Sequence, residues 1–314
     1  MIKKENIEMR QVYTNKLIEF AEKGENIIAL EADLMSAIAM KPFAQKYPNK
    51  FINCGIMEAN MVGVGAGHAL LGKKVFIHTF GPFATRRCFD QLFISLGYAQ
   101  LPAVILGSDS GVTAEHNGGT HMPFEDLGLM RLIPSATVFE ASDSIMLAQL
   151  LEIAKDSKTL TYIRTIRKQA DMFYTAKDSF KVGGSKVLRD GADGVIFASG
   201  IMVSEAVIAA NTLAEAGIDI AVVDTYSIAP IDSQTIIRYA QKTGYVITAE
   251  NHNVIGGLGS AVAEVLLEAG IKTKFKRVGV RSSFGQVGTR AYLQKVYGLD
   301  AETIIKTYHE LKEQ

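Results

Sequence analysis

The 314-residue sequence has little cysteine and no net charge. Its two cysteines, Cys54 and Cys88, lack C-x-x-C spacing, which argues against a disulfide framework and against a structural metal site. The 33 lysines and arginines are balanced by 33 aspartates and glutamates, so no net field draws the protein to nucleic acid or to an anionic membrane. We therefore expect neither among its partners, and any charged ligand must be held by local groups.

Long apolar runs and tryptophan are also absent. The longest uncharged apolar segments fall short of the roughly 20 residues that a membrane span needs, and the first five residues, MIKKE, lack the apolar core of a signal peptide. We therefore expect a cytoplasmic protein. A mean hydropathy of +0.14 indicates more apolar surface than a monomer usually exposes, which favours association with another subunit.

Continuous apolar runs, such as residues 27–30 and 103–106, alternate with segments of helical periodicity. Runs of this kind are typical of a parallel sheet that is covered by helices on both faces. A polar, glycine-bearing segment at 176–193 divides two such patterns. The sequence thus predicts two three-layer α/β/α domains with mostly parallel sheets, at residues 1–175 and 194–314, joined by a linker at 176–193.

The common catalytic constellations are missing. Residues 107–111, GSDSG, have the outline of a nucleophile elbow, but the central position is Asp109 instead of serine. No P-loop and no H-E-x-x-H motif is present. His116 and His121 are five residues apart in a polar loop, which is weak support for a metal site. We therefore predict no metal ligands in this chain.

One acidic side chain and two phenylalanines stand close to a helix that is rich in small residues. Glu58 lies where a helix begins, and Gly63, Gly65 and Gly67 within that helix favour close approach of backbone or ligand. The following strand, 74–80, delivers Phe80 and Phe83 to its carboxyl end, the edge where ligands bind in open α/β sheets. By themselves such residues are more often a helix-dipole partner and core aromatics.

The order of three motifs is more specific. Residues 55–61 (GIMEANM), 79–83 (TFGPF) and 118–123 (GGTHMP) resemble, in sequence and spacing, the pyrimidine-binding half of the transketolases, and the resemblance extends over nearly the whole chain. It implies a thiamine-diphosphate pyrimidine-binding domain followed by a transketolase C-terminal-like domain. It also implies transfer of a two-carbon ketol unit from a ketose to an aldose.

The resemblance implies roles for individual residues at the cofactor. Glu58 matches the acid that hydrogen-bonds the aminopyrimidine ring of thiamine diphosphate, which serves as an electron sink. An apolar setting favours the protonated form of such an acid. Phe80 and Phe83 match the aromatic residues that pack against the pyrimidine, where ring contacts contribute about 0.5–1.5 kcal/mol beyond area burial. Glu58 is thus implied to be both catalytic and cofactor-binding.

Three further residues are implied to contact the substrate. His121 matches the histidine that faces the reacting carbonyl and hydroxyls, so it is implied to be catalytic as well as substrate-binding. Asn117 occupies a position where transketolases usually have an aspartate, which hydrogen-bonds a hydroxyl group of the substrate. Arg167 matches the arginine that binds the terminal phosphate, for which a planar fork of donors is suited.

The chain departs from the transketolase pattern at several substrate positions. Ser108 stands where a phosphate-binding histidine is usual, and Ala37 where a serine is usual. Together with Asn117, these changes favour a ketose with a less common terminal group or hydroxyl pattern, such as a sulfonated or branched sugar.

The segment that holds the diphosphate is missing altogether. Transketolases bind the diphosphate and its Mg²⁺ (or Ca²⁺) with a Gly-Asp-Gly segment, and the nearest string here is DGADG at 190–194. Since the metal needs oxygen ligands, a separate amino-terminal subunit is implied to supply them. We therefore expect the carboxy-terminal subunit of a split transketolase, inactive alone and assembled as an α₂β₂ heterotetramer.

Alternatives share the same carboxylate and aromatic residues. They include the β-subunit of a 2-oxoacid-decarboxylating thiamine enzyme and a deoxyxylulose-phosphate-synthase-like enzyme. The GGTHMP loop and Arg167 favour transketolase over the former, and the missing amino-terminal half counts against the latter. A non-catalytic scaffold subunit is a third alternative, and retention of Glu58 argues against it.

Overall fold

The computed structural model describes residues 2–313, which form two compact units. The first unit contains the chain up to Ser110 together with Leu129–Lys181, and the second contains Gly111–Gly128 together with the chain from Val182 onward. The polar loop after Ser110 therefore belongs to the second unit. None of the helices in residues 2–313 has both the length and the hydropathy needed to cross a membrane.

Helices and strands alternate along most of the chain. The strands are β1 Ile27–Glu31, β2 Phe51–Asn53, β3 Lys74–Phe80, β4 Ala103–Ser108, β5 Thr137–Glu140, β6 Leu160–Arg164, β7 Lys186–Arg189, β8 Gly194–Ala198, β9 Ile220–Asp224, β10 Ser227–Ala229, β11 Tyr245–Asn253 and β12 Lys274–Val280. The α-helices are α1 Met9–Glu22, α2 Lys41–Lys46, α3 Glu58–Leu70, α4 Gly81–Ala84, α5 Phe89–Gln91, α6 Asp126–Arg131, α7 Ser144–Lys155, α8 Met202–Glu215, α9 Ser233–Thr243, α10 Leu258–Glu268, α11 Arg290–Tyr297 and α12 Ala301–Glu313.

The strands β1 to β6 of the first unit are ordered β5-β6-β4-β3-β1-β2 and are parallel to one another. β1, β4, β5 and β6 are buried along their whole length, as expected for a sheet that helices cover on both faces. The register places Glu31 of β1 opposite His78 of β3. It also places Phe80 of β3 opposite Ser108 of β4, so these side chains gather near the carboxyl ends of neighbouring strands.

In the second unit, the five-stranded sheet has the order β12-β11-β8-β9-β7. All its pairs are parallel except β7 with β9. The predicted fold class of two α/β domains with mostly parallel sheets is therefore confirmed. β7 lies within the segment 176–193, for which the sequence predicts only a linker.

Helix α3 is packed closely against the first sheet. A Cβ atom added to Gly65 would lie 2.7 Å from Cδ1 of Ile77 in β3, so this position has no room for a side chain. No described atom lies within 4 Å of a Cβ added to Gly63 or Gly67. The expectation of close packing is thus met at Gly65, and the other two glycines lie on the exposed face of the helix.

Helical periodicity in the sequence also predicts a helix at about 36–47 and another from Phe83 to about Gly97, and neither has its expected length in the structure. The helix expected at about 36–47 is limited to α2. Ala39 has a positive φ of 58°, which is not a helical conformation, so the helix cannot begin before this residue. The single helix expected from Phe83 to about Gly97 is wrong. Thr85 has non-helical angles of φ −130° and ψ −83°, and the segment divides into α4, a 3₁₀ turn at Arg86–Cys88, α5 and a π-helix at Leu92–Tyr98.

Candidate active site

Glu58 is the first residue of α3, and its side chain is only 3% exposed. Nη1 of Arg87 donates a hydrogen bond to Oε1 of Glu58 over 2.5 Å. Arg87 comes from the 3₁₀ turn that follows α4. Glu58 is thus buried, and Arg87 gives it a cationic partner that the sequence does not reveal.

The two predicted aromatic residues are neighbours. Phe80 ends β3 and Phe83 lies in α4, and their ring centroids are 6.2 Å apart with planes at 38°. Cζ of Arg87 lies 3.6 Å from the centroid of the Phe83 ring, and Cζ of Arg167 lies 4.9 Å from that of Phe80. A continuous series of contacts therefore joins Glu58 to Arg167 through Arg87, Phe83 and Phe80.

Arg167 is held by a buried carboxylate. Its Nε lies 2.8 Å from Oδ1 and 2.7 Å from Oδ2 of Asp109, whose side chain is 3% exposed. Asp109 has a positive φ of 61°, which is uncommon for a residue with a side chain and is found more often at functional sites. Burial raises the pKa of the Asp109 carboxyl, although the Arg167 guanidinium opposes that shift. Because Asp109 engages Nε, the terminal nitrogens of Arg167 can bind an anion.

The two remaining site residues belong to the second unit. Asn117 is exposed at the end of the 3₁₀ segment Gly111–Asn117, and His121 is half-buried, with Oγ1 of Thr120 2.9 Å from its Nδ1. The loop packs closely against the backbone at Gly285, because a Cβ added to Gly119 would lie 2.1 Å from the carbonyl oxygen of that residue. Within this unit the loop therefore presents Asn117 and His121 from a constrained backbone.

The described residues suit a flat heteroaromatic group. Glu58 provides a buried carboxyl, and Phe80 and Phe83 provide adjacent rings at the carboxyl end of β3. This combination fits an aminopyrimidine, which needs one hydrogen-bonding acid and apolar faces. Among residues 2–313 no group of three or more His, Cys, Asp or Glu side chains is arranged to hold a metal ion.

Sequence reasoning misses Arg87 and the role of Asp109. Arg87 could have been noticed as one of two arginines that closely follow Phe83, but nothing in the sequence pairs it with Glu58, 29 residues away. Asp109 enters the sequence argument only as the residue that replaces a nucleophilic serine.

Comparison with known families identifies the class of protein. Residues 5–171 match the family model described as "Transketolase, pyrimidine binding domain", and residues 183–304 match "Transketolase, C-terminal domain". The chain belongs to the transketolase family, which uses thiamine diphosphate.

The most similar proteins include subunits of comparable length. The chain is 45% identical over 313 residues to the 6-deoxy-6-sulfo-D-fructose transketolase subunit of Clostridium sp. (strain MSTE9), covering 100% of this chain and 97% of that protein. It is 33% identical to a subunit of the apulose-4-phosphate transketolase of Phocaeicola vulgatus, with 96% of each covered. A solved structure described as "Split gene transketolase, inactive beta4 tetramer" superposes with a TM-score of 0.89 at 36% identity, covering 98% of both chains.

These matches confirm the predicted function at the level of the family. The chain is a carboxy-terminal transketolase subunit, and the reaction class is that of a transferase.

Proposed function

We propose that this chain works with a separate amino-terminal subunit that holds the diphosphate and Mg²⁺ (or Ca²⁺), and that two copies of each form an α₂β₂ complex. The absence of a Gly-Asp-Gly segment supports this division, since the diphosphate and its metal need oxygen ligands. The name of the solved relative, an inactive tetramer of one subunit type, supports it as well. A cytoplasmic location and a role in carbohydrate metabolism remain predictions from the sequence.

The observation that carries the proposal is the buried carboxyl of Glu58, which Arg87 links to the adjacent rings of Phe83 and Phe80. We assign Glu58 to the ring nitrogen of the aminopyrimidine and the two phenylalanines to its faces. When bound, thiamine diphosphate supplies a carbanion equivalent that accepts the two-carbon unit. The carboxyl group of Glu58 would hydrogen-bond that ring nitrogen, and its burial at 3% exposure would keep water from competing for the bond.

His121, Asn117 and Arg167 are proposed to bind the sugar. His121 would exchange a proton with, or hydrogen-bond, the substrate oxygens next to the reacting carbon. Asn117 would hydrogen-bond a substrate hydroxyl through its neutral amide, at a position where an aspartate is usual in the family. Arg167 would bind the terminal anionic group with its two terminal nitrogens, which are suited to the oxygens of a tetrahedral anion.

We propose a sulfonated ketose of the 6-deoxy-6-sulfo-D-fructose type as donor. Ser108 stands in place of the usual phosphate-binding histidine, and Ala37 stands in place of a usual serine. The relative with 45% identity is named for that donor, whereas the apulose-4-phosphate relative has 33% identity. A branched ketose phosphate is therefore the second candidate donor.

The test is reconstitution with the amino-terminal subunit encoded by a neighbouring reading frame. The two chains are co-purified and assayed with thiamine diphosphate, Mg²⁺ and an aldose acceptor against three donors, namely 6-deoxy-6-sulfo-D-fructose, xylulose 5-phosphate and a branched ketose phosphate. We expect the sulfonated donor to give the highest kcat/KM. Highest activity with xylulose 5-phosphate would contradict the proposed donor.

Two further arms of the same assay address the wider alternatives. Turnover of pyruvate but of no ketose would favour a 2-oxoacid-decarboxylating or synthase-type enzyme. Ketol transfer by this chain alone, without the second subunit, would contradict the proposed division of the site. Native mass spectrometry of the complex distinguishes α₂β₂ from other stoichiometries.

A further inference from the structure

A line of buried polar side chains extends from the centre of the first sheet to Arg167. Nδ1 of His78 lies 3.0 Å from both carboxylate oxygens of Glu31, and both side chains are fully buried. Nε2 of His78 lies 3.0 Å from Oγ of Ser108, which in turn donates to Oδ2 of Asp109 over 3.3 Å. We call Glu31, His78, Ser108 and Asp109 the buried relay.

The number of protons in the buried relay limits which hydrogen-bond directions are possible. Ser108 has one hydroxyl proton, so it donates either to His78 or to Asp109 but not to both. Donation to Asp109 is compatible with a hydrogen bond from His78 only if Nε2 also carries a proton. Nδ1 faces an acceptor on Glu31 and is therefore protonated when that carboxylate is ionised.

With both ring nitrogens protonated, every hydrogen bond in the relay has one donor and one acceptor. In this arrangement the carboxylates of Glu31 and Asp109 each face a proton donor, although burial raises the pKa of the Glu31 carboxyl. Buried charges are tolerated when they are paired in this way. Burial alone favours the neutral acid at Asp109, whereas Arg167, His78 and Ser108 each favour its ionised form.

We infer that Glu31 and His78 are positioning residues that act through Ser108 on Asp109 and thereby set the orientation in which Arg167 meets the terminal anion of the ketose. This inference rests on the proposed function. It gives Ser108 a defined task, because its hydroxyl connects the buried imidazole to the carboxylate that holds Arg167. The left-handed backbone at Asp109 needs such support, since a strained conformation persists only where its surroundings fix it.

A purely structural network would behave differently. Tyr13 also packs on His78, with ring centroids 6.1 Å apart, so the relay contributes to the core as well. Loss of core stability would reduce activity with every donor to the same extent. Loss of Arg167 alignment would reduce activity only with donors that carry a terminal anion.

The experiment uses the reconstituted complex with Ser108→Ala and Glu31→Gln. The donors are 6-deoxy-6-sulfo-D-fructose and L-erythrulose, a neutral four-carbon ketose, with D-glyceraldehyde as the neutral acceptor, so that transfer from either donor forms a five-carbon ketose. We expect kcat/KM for the sulfonated donor to fall about 10- to 100-fold, mainly through KM, because an interaction with a charged group is weakened. With L-erythrulose we expect a change of less than about twofold.

Two variants control for perturbation of the core. Thr79 lies next to His78 on β3, and its buried hydroxyl has no hydrogen-bond partner among the described residues. Thr79→Val removes this hydroxyl and should leave kcat/KM unchanged with both donors. Ser108→Thr keeps the hydroxyl and should restore most of the activity with the sulfonated donor. If Glu31→Gln does not fold, the comparison of Ser108→Ala with Ser108→Thr decides the question.

Equal losses with both donors, or no loss with the sulfonated donor, would overturn the inference. A wild-type complex that transfers ketol units from neither donor would instead contradict the proposed function. An active wild-type complex with donor-independent effects of Ser108→Ala would contradict the buried relay alone.

Discussion

Buried carboxylates paired with arginines characterise the candidate site at the scale of single residues. Glu58 pairs with Arg87, which lies on the ring of Phe83, and Asp109 pairs with Arg167, which lies on the ring of Phe80. In each case a planar guanidinium satisfies an acid and also covers an aromatic face.

Removing Arg87 should destabilise the isolated chain. Arg87→Ala leaves the carboxylate of Glu58 buried without its cation and removes the contact with Phe83. Because the Arg87 side chain is itself 42% exposed, we expect a loss of only about 1–2 kcal/mol in the free energy of unfolding, measured by urea denaturation. Glu58→Gln in the Arg87→Ala background should recover part of this loss. Additive effects of the two substitutions would show that the pair is not coupled.

The two cysteines should differ in reactivity. Burial raises the pKa of the Cys88 thiol to about 12, and its Sγ donates to the carbonyl oxygen of Phe83 over 3.2 Å. Since only the thiolate reacts, a pKa of this size leaves about one thiolate in 10⁴ at pH 8. We expect iodoacetamide to modify Cys54, which is half-buried, well before Cys88 in the folded chain. Mass spectrometry of the peptides measures this order, and faster labelling of Cys88 would contradict it.

Sequence reasoning identifies some of these residues and not others for a physical reason. Glu58, Phe80 and Phe83 lie within contiguous motifs, so spacing alone indicates them. The pair Glu31–His78 is separated by 47 positions and exists only because β1 and β3 are adjacent and in register. Sequence periodicity predicts strands, but it does not predict which strands are neighbours or which residues face one another.

At the scale of elements, the contact between α3 and β3 sets the position of Glu58, which is the first residue of α3. Five buried residues of α3 after Glu58 face the protein interior, namely Met61, Val62, Gly65, Ala66 and Ala69. Gly65 is the point of closest approach to Ile77. The small residue therefore determines how near the helix, and with it Glu58, lies to the sheet.

Substitutions at two glycines of α3 should separate packing from helix propensity. Gly63→Ala and Gly65→Ala increase the helix propensity by the same amount, about 1 kcal/mol in favour of the folded helix. Only the second adds a methyl group 2.7 Å from Ile77. We expect Gly65→Ala to be less stable than Gly63→Ala by about 1–3 kcal/mol in urea denaturation of the isolated chain. Equal stability of the two variants would mean that the helix can move away from β3 without cost.

Element boundaries are harder to predict from the sequence where the backbone makes special turns. The periodicity of residues 84–97 is helical, but the angles at Thr85 end α4 and create the turn that carries Arg87. Gly97 lets the π-helix approach Ile133, since an added Cβ would lie 2.5 Å from its Cγ2. Both features depend on tertiary contacts that a local pattern does not contain.

At the scale of the whole molecule, the chain carries the pyrimidine-binding and C-terminal domains of the transketolase family. The motifs that identify the family are local, and the sequence therefore suffices to assign it. The sugar and the partner chain depend on groups that this chain only partly supplies. Their assignment accordingly needs the assembled complex.

The most direct measurement is the turnover of the reconstituted complex with Glu58→Gln, which keeps the shape of the side chain and removes its acidity. We expect kcat to fall about 10²- to 10⁴-fold, the usual contribution of a positioned acid, while the complex still assembles. Glu22→Gln, at an exposed position of α1, is the matched control and should leave kcat unchanged. Wild-type kcat in the Glu58→Gln complex would contradict a catalytic role of this chain and favour a scaffold subunit.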